Sequence, residues 1–487
     1  MVKKLIVCVL CLLLAGCTVI KENTQPVPEI KPFLQTKGTE GTQRSLKANL
    51  YFLNEDGQKL IADLRYITLQ DGENPAEAVM RALIAGPQAA GQQKVVPEGV
   101  MLDYVEAGDD VAEVYLETGK KKPGDEEMFV FKIAAANTLI DLLDITYVNL
   151  FWDGMQKSQN SQPAGPQIKS NQTVEEALNM EQEVRAAQSS RAAYDGKAIL
   201  YFAAKDGPFI LPEVRNVSFN SESSVEALIN ELVTGPRDTG RKTGLFSKQT
   251  KFKNSDFILE NNVKTLILHF ESLIMPDQGY NESLMAASLI YTLTGILTDI
   301  EAVKIDIKGK IIENIGSKKF INGMRRSDFT DITGKSIPLY MIYQDSTLLT
   351  GVSRTVLQSK QWDALIRLKE LFAGPKESES KNAWPVLPGG TDENDLLSVS
   401  VSNDTFIVDC SANFKNMCAN LSEENEMLLI FSIVNTLTEI KGIRQVLFQI
   451  EGRPVESLSG HLYTGTPFIR NPGIIKKSLL NNNAAND

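Results

Sequence analysis

The chain has 487 residues, enough for roughly three domains of ordinary size. Hydrophobic residues make up 43% and charged residues 23%, a globular balance with ample material for cores, and the formal charge is −11. An acidic chain with no basic block is a poor partner for nucleic acid and is not drawn electrostatically to an anionic bilayer. Only two histidines occur, His269 and His461. That excludes a multi-histidine metal site and leaves little room for histidine acid–base catalysis.

Residues 1–17 read MVKKLIVCVLCLLLAGC. Two lysines precede an apolar run, Leu5 to Leu14, too short to span a bilayer and of signal-peptide length. The run ends in Leu14-Ala15-Gly16-Cys17, which resembles a bacterial lipobox. The resemblance implies cleavage before Cys17 and a diacylglycerol on its sulfur, which would hold the chain on the extracytoplasmic face of the cell membrane. The other reading is a plain secretory signal with an incidental cysteine. Residues 18–46 are polar and proline-containing and read as a flexible tether. Cys410 and Cys418 remain downstream, either as a disulfide or with Cys410 as a small core residue.

Beyond the tether the chain repeats itself three times, at the scale of a whole domain. Each block opens with a strand: Leu50-Tyr51-Phe52, Leu200-Tyr201-Phe202 and Leu339-Tyr340-Met341. Asp56-Gly57 and Asp206-Gly207 mark turns into a second strand. A helix follows and ends at Gly86-Pro87, Gly235-Pro236 or Gly374-Pro375. Apolar residues recur at helical spacing before each glycine: Met80, Leu83 and Ile84; Ile229, Leu232 and Val233; Leu368, Leu371 and Phe372. Asn74 with Glu77, and Ser223 with Glu226, have capping-box spacing. Two strands come next, near 100–106 and 111–117 in block one and near 396–401 and 405–410 in block three. A second helix carries Asn137-Thr138-Leu139, Tyr291-Thr292-Leu293 or Asn435-Thr436-Leu437, with Ser422 as an N-cap in block three. A last strand ends at Gly154, Gly309 or Gly452, which lie 16, 17 and 16 residues after the helix threonine.

The order β(β)αββαβ predicts an α+β fold of three tandem two-layer sandwich domains. One sheet face would be covered by both helices, and the other left free for self-association. The expected domains are 47–155, 196–313 and 336–472. A polar linker is expected at 156–195, a shorter linker at 314–335 that is basic in part through Lys318, Lys319, Arg325 and Arg326, and a disordered tail at 473–487.

The repeats resemble the GerMN domain of the GerM sporulation and germination lipoproteins. Block three carries the likeness in Phe372-Ala373-Gly374-Pro375, Leu387-Pro388-Gly389-Gly390-Thr391, Asn435-Thr436-Leu437 and Gly452-Arg453-Pro454. Ser459-Gly460-His461 and Arg470-Asn471-Pro472 also look like that family's tail. The resemblance implies a ring-building-motif-like fold and a non-enzymatic role. The chain would be a membrane-anchored scaffold that contributes, through protein contacts, to envelope or mother cell–forespore channel assembly. Because such domains also occur in lipoproteins that work with a sensor kinase, a ligand-binding or sensing module at a kinase or at peptidoglycan is the alternative.

The sequence carries no recognisable catalytic constellation. A serine hydrolase needs a histidine base; His269 alternates with core residues and reads as solvent-facing, and His461 reads as a turn residue. Glu126-Glu127 and Glu423-Glu424 are explained by helix N-termini. Asp392, Glu393 and Asp395 lack the calcium-loop pattern and read as a solvated loop. No phosphate-cradling glycine motif follows a strand. No catalytic, cofactor or metal residue is assigned. The only site residue is Cys17, the lipid attachment point.

Overall fold

A computed structural model describes residues 44–476, except 71, 158–162, 192, 221, 261–262, 276–280 and 345. The lipobox Leu14-Ala15-Gly16-Cys17, the tether up to residue 43 and the tail from residue 477 lie outside the described residues.

In the first repeat the elements are β1 (Arg44–Asn54), β2 (Leu60–Leu69), α1 (Pro75–Ala85), β3 (Gln92–Gln93), β4 (Met101–Ala107), β5 (Val111–Glu117), α2 (Asp125–Leu143) and β6 (Tyr147–Trp152). A helix α3 (Val174–Arg191) lies in the connection. The second repeat runs through β7 (Ala193–Ala204), β8 (Ile210–Asn220), α4 (Ser224–Thr234), β9 (Lys242–Thr243), β10 (Lys251–Glu260), β11 (Val263–Ser272), α5 (Glu282–Thr294) and β12 (Ala302–Ile307). The short strands β13 (Lys310–Ile311), β14 (Asn314–Ile315) and β15 (Lys318–Lys319) follow. The third has β16 (Gly334–Tyr343), β17 (Leu349–Leu357), α6 (Ala364–Phe372), β18 (Ala383–Trp384), β19 (Leu396–Ser402), β20 (Thr405–Cys410), α7 (Ala412–Cys418), α8 (Glu423–Leu437), β21 (Gln445–Ile450), β22 (Arg453–Pro454) and β23 (Phe468–Ile469).

The architecture is mixed α and β, thrice repeated. Each repeat builds two small sheets. The opening hairpin takes up a short third strand, in the orders β2-β1-β3, β8-β7-β9 and β17-β16-β18. The second sheet joins an antiparallel pair to a parallel strand that returns through the second helix, as in β4-β5-β6. A parallel return needs a crossover of this kind. Helix α2 packs against both β1 and β6, and its buried positions run nearly without break from Phe129 to Leu139. Each repeat has its own large apolar core.

Local signals act as expected at several ends. Asn74 caps α1 through Ala76 N–H, with Pro75 at the first helical position. Gly86, Gly235 and Gly374 all have positive φ at the Gly-Pro stops. Ser422 caps α8. The Ser223 side chain makes no capping bond; Asn220 Oδ1 accepts the Ser223 N–H at 2.8 Å instead.

Three expectations need correction. The stretch 314–335 is not a linker but part of the second repeat: Ile315, Phe320, Met324 and Phe329 are buried in the second core, and Met324 pairs with Val303 on β12. Gln167 pairs in the same way with Val148 on β6, and Phe468 with Val446 on β21, so every repeat closes its second sheet with a late segment. The tail begins later than residue 473, since Ile474 is buried and Ile475 pairs with Leu349. Asp395 is not solvated: its carboxylate accepts from Asn413 and from Ser411, the N-cap of α7. Cys410 and Cys418 are free thiols, both buried in the third core, and burial raises the pKa of each.

Candidate functional site: the seam between repeats one and two

The repeated Tyr, Thr and Asn positions have a shared structural job. The backbone N–H of Tyr51, Tyr201 and Tyr340 donates to Oγ1 of Thr138, Thr292 and Thr436, at 3.2, 3.1 and 3.1 Å. These bonds pin the first strand of each repeat to its second helix. Asn137 exchanges two hydrogen bonds with the Ser170 backbone, and Asn435 does the same with Asn471. They hold the closing segment.

One residue before each Ser or Asn partner sits a cation. Lys169 lies 5.6 Å from the Tyr51 ring and pairs with Asp141, which also accepts from the Tyr51 hydroxyl. Arg470 lies 5.2 Å from the Tyr340 ring and pairs with Glu439, which accepts from the Tyr340 hydroxyl. Repeats one and three therefore satisfy the cation with an acid three residues after the helix threonine.

Repeat two departs from this pattern. Its helix has Gly295 at the acid position and Tyr291 in place of asparagine. The cation is Arg326, 4% exposed and 4.0 Å from the Tyr291 ring. Its carboxylate comes from another repeat: Arg326 pairs with Glu113 on β5, and its Nε donates to the Tyr115 hydroxyl at 2.8 Å. The ring of Phe151 on β6 lies 4.3 Å from the guanidinium. Asn149 donates to the Gly295 carbonyl at 3.2 Å, which closes the seam. The sheet face expected to stay free is thus covered in repeat one. Every residue of β5 from Val111 to Leu116 is buried.

Glu106 stands opposite Glu113 on the paired strand and is also buried. Burial first, and then the Glu113 charge, push its carboxyl up to about 8 against the opposing pull of Arg326. Two carboxylates facing one guanidinium favour one of them keeping its proton. Burial also raises the hydroxyl pKa values of Tyr115, Tyr201 and Tyr291 well above that of a free phenol. The cluster holds charge and orientation; no nucleophile with an adjacent base is part of it.

The β4–β5 turn extends the seam to repeat three. Asp109 accepts from Ser336 N–H and Oγ at 2.9 and 2.7 Å and pairs with Arg241 of repeat two. Gln361 donates to the Ala107 carbonyl. Asp206 accepts from Thr355 N–H at 2.7 Å. One turn of repeat one thereby touches both of the others.

Two further features lie outside the sequence expectations, one common to all repeats and one confined to the third. Arg65, Arg215 and Arg354 each donate to the carbonyl of the Gly-Pro glycine, at 3.0, 2.6 and 3.3 Å. A cation there answers the carbonyl end of the helix dipole. Arginine 20 or 21 residues before the glycine in all three blocks was the available clue. The second is Glu426 in α8, fully buried, which accepts backbone N–H bonds from Leu458, Ser459, His461 and Leu462 at 2.8–3.0 Å. Ser459-Gly460-His461 is the loop wrapped around this carboxylate. Burial opposes ionisation, but the hydrogen bonds from Ser459, Leu462 and His461 prevail and hold its pKa below the ordinary value. The bonds favour the charged form, so their stabilisation is present above the unfolded pKa and is lost as pH falls through the lower folded value. Glu426→Gln is expected to free the 456–464 loop at neutral pH, seen as faster amide exchange of Leu458–Leu462 than in the parent chain.

His269 faces outward but is clamped, its Nδ1 2.6 Å from Asp306 and its Nε2 3.0 Å from Asp256. His461 Nε2 is 3.1 Å from the Leu421 carbonyl. Among the described residues no group of histidine, cysteine and carboxylate side chains is arranged to hold a metal ion. Among them, too, no helix is long and apolar enough to cross a membrane.

A family model described as "Germane: Sporulation and spore germination" matches residues 49–158, 199–313 and 338–456. Among solved structures, the tandem GerMN domains of the sporulation protein GerM from Bacillus subtilis align at 17% identity, covering 58% of this chain and 100% of that one, with a TM-score of 0.23. The first GerMN domain of the same protein aligns at 22% identity over 28% of this chain and 98% of that one, with a TM-score of 0.22. No curated protein matches the sequence. With three regions matched in order along most of its length, the chain belongs to the Germane family, a family of sporulation and spore germination.

Proposed function

We propose that the protein is a non-enzymatic scaffold, lipid-anchored through Cys17 to the extracytoplasmic face of the cell membrane. It contributes to envelope or mother cell–forespore channel assembly through protein–protein contacts. Its domains are built on 47–155, 196–313 and 336–472, with the segment 314–335 added to the second, Gln167 closing the first and Phe468 closing the third. The observation that carries the reading is the seam itself: a buried ion pair between repeats and a turn shared by all three favour a rigid spacer over a hinged ligand clamp. A catalytic cleft is built around reactive groups, whereas here the buried polar groups are spent on joining repeats.

The test is the heat-resistant spore count of a deletion strain, complemented with the intact gene or with Cys17→Ala. The expected result is a large drop, rescued only by the intact gene. Normal counts and normal germination would remove the scaffold reading and favour a sensing lipoprotein acting with a kinase or peptidoglycan.

A further inference from the structure

The second repeat differs from the first at the end of its outer sheet, and the difference is one of charge. The first of two matching positions is the extra residue of a β-bulge: Asp103 between Leu102 and Tyr104, and Lys253 between Phe252 and Asn254. The second is the residue with positive φ that precedes the final glycine of each last strand: Asp153 at 51°, Lys308 at 55° and Glu451 at 50°. Asp153 folds back to accept from Thr118 N–H and Oγ at 2.8 and 2.6 Å, and Glu451 accepts from Ala412 N–H at 3.4 Å. A lysine cannot accept there. Lys308 instead lines an open cleft of about 730 Å³, together with Lys251 and Lys253.

Lys251, Lys253, Lys308 and the neighbouring Lys310 are all exposed, and among the described residues none of them makes an ion pair. Of the carboxylates lining the cleft, Asp256 and Asp306 are committed to His269, which leaves Glu271. Two exposed apolar residues stand at the rim by their place in the sheet: Ile311, 40% exposed, is opposite Asp306 of the cleft, and Ile274, 37% exposed, is two residues beyond Ser272 of the cleft. Four unpaired ammonium groups with flanking isoleucines suit a surface that has phosphate above and hydrocarbon below. A soluble polyanion would make no use of the isoleucines.

We propose that this end of repeat two is a docking surface for an anionic phospholipid membrane, with lipid phosphates in the lysine cleft and Ile311 and Ile274 at the headgroup boundary. The chain is acidic overall, yet the surface acts locally, because screening limits the reach of distant charges to about 10 Å. The inference rests on the proposed anchoring only for bringing the membrane within reach. It adds a second contact that would fix the orientation of the scaffold.

The test uses the chain from residue 18 onward, made without acyl groups, in co-sedimentation with vesicles of phosphatidylglycerol and phosphatidylcholine or of phosphatidylcholine alone. Binding to the anionic vesicles is expected, weakening as salt rises. Lys253→Asp with Lys308→Asp, the identities that repeat one carries, is expected to weaken it at least about twentyfold. A Lys253→Gln and Lys308→Gln variant guards against misfolding of the first. No binding to anionic vesicles, equal binding to neutral ones, or unchanged binding by both variants would overturn the proposal. Binding to inorganic polyphosphate without binding to vesicles would also overturn it. None of these outcomes touches the spore-count test, so the two readings fail separately.

Discussion

Arg326→Met is expected to remove about 3–5 kcal/mol from the coupled unfolding of repeats one and two, because it leaves Glu113 buried without its counter-charge. The loss includes the guanidinium stacking on Tyr291 and Phe151, but the stranded carboxylate dominates. Adding Glu113→Gln should recover much of it, since removing both charges is far less costly than removing one. Calorimetry is the right readout: a chain of several domains has no single unfolding free energy, and the transitions must be resolved. In the parent chain repeats one and two should melt together; in Arg326→Met they should separate. A single variant within about 1 kcal/mol of the parent, with its transitions unchanged, would mean that the seam does not hold the repeats together.

Glu106→Gln should act in the opposite direction and only above mildly acidic pH. The folded carboxyl titrates at about 8, against an ordinary value of 4.5. Between those values the folded state holds a proton that the unfolded state has released. Stability therefore falls as pH rises through this window, by about 1.4 kcal/mol per pH unit for this one group. Below the window the contribution is constant, and above about 8 the fall ends. Glutamine keeps the shape and neutrality of the protonated acid and has no proton to lose. The variant should match the parent near pH 4.5, be clearly more stable at pH 8, and show a flatter dependence between. Melting temperatures of both chains from pH 5 to 8 decide it. Parallel curves would show that Glu106 is ionised in the folded protein.

The seam rests on how each repeat neutralises its closing cation. Repeats one and three each neutralise their closing cation with their own acid, Asp141 or Glu439. Repeat two gave up that acid for Gly295 and takes the charge from its neighbour. A buried pair of this kind adds little net stability over an apolar contact; on the proposed reading its use is to favour one docking of the two repeats. On the proposed scaffold reading, a unique arrangement would matter more than a few kcal/mol.

The sequence alone determined the repeat order, the strand and helix positions and the Gly-Pro stops. These are local signals: period-two and helical apolar spacing, turn residues, and glycines at positive φ act through neighbours along the chain. Tertiary structure alone decided that 314–335 belongs to the second repeat, and that Arg326 is a buried key rather than part of a solvated basic run. Arg326 and Glu113 are 213 residues apart, and nothing near either one announces the other. Lys318, Lys319, Arg325 and Arg326 look alike as a string. Only packing against Tyr291, Phe151 and Tyr115 separates the one desolvated guanidinium from three neighbours at or near the surface, where Lys318 and Arg325 meet Asp331 and Glu301, because burial is a property of a site in space.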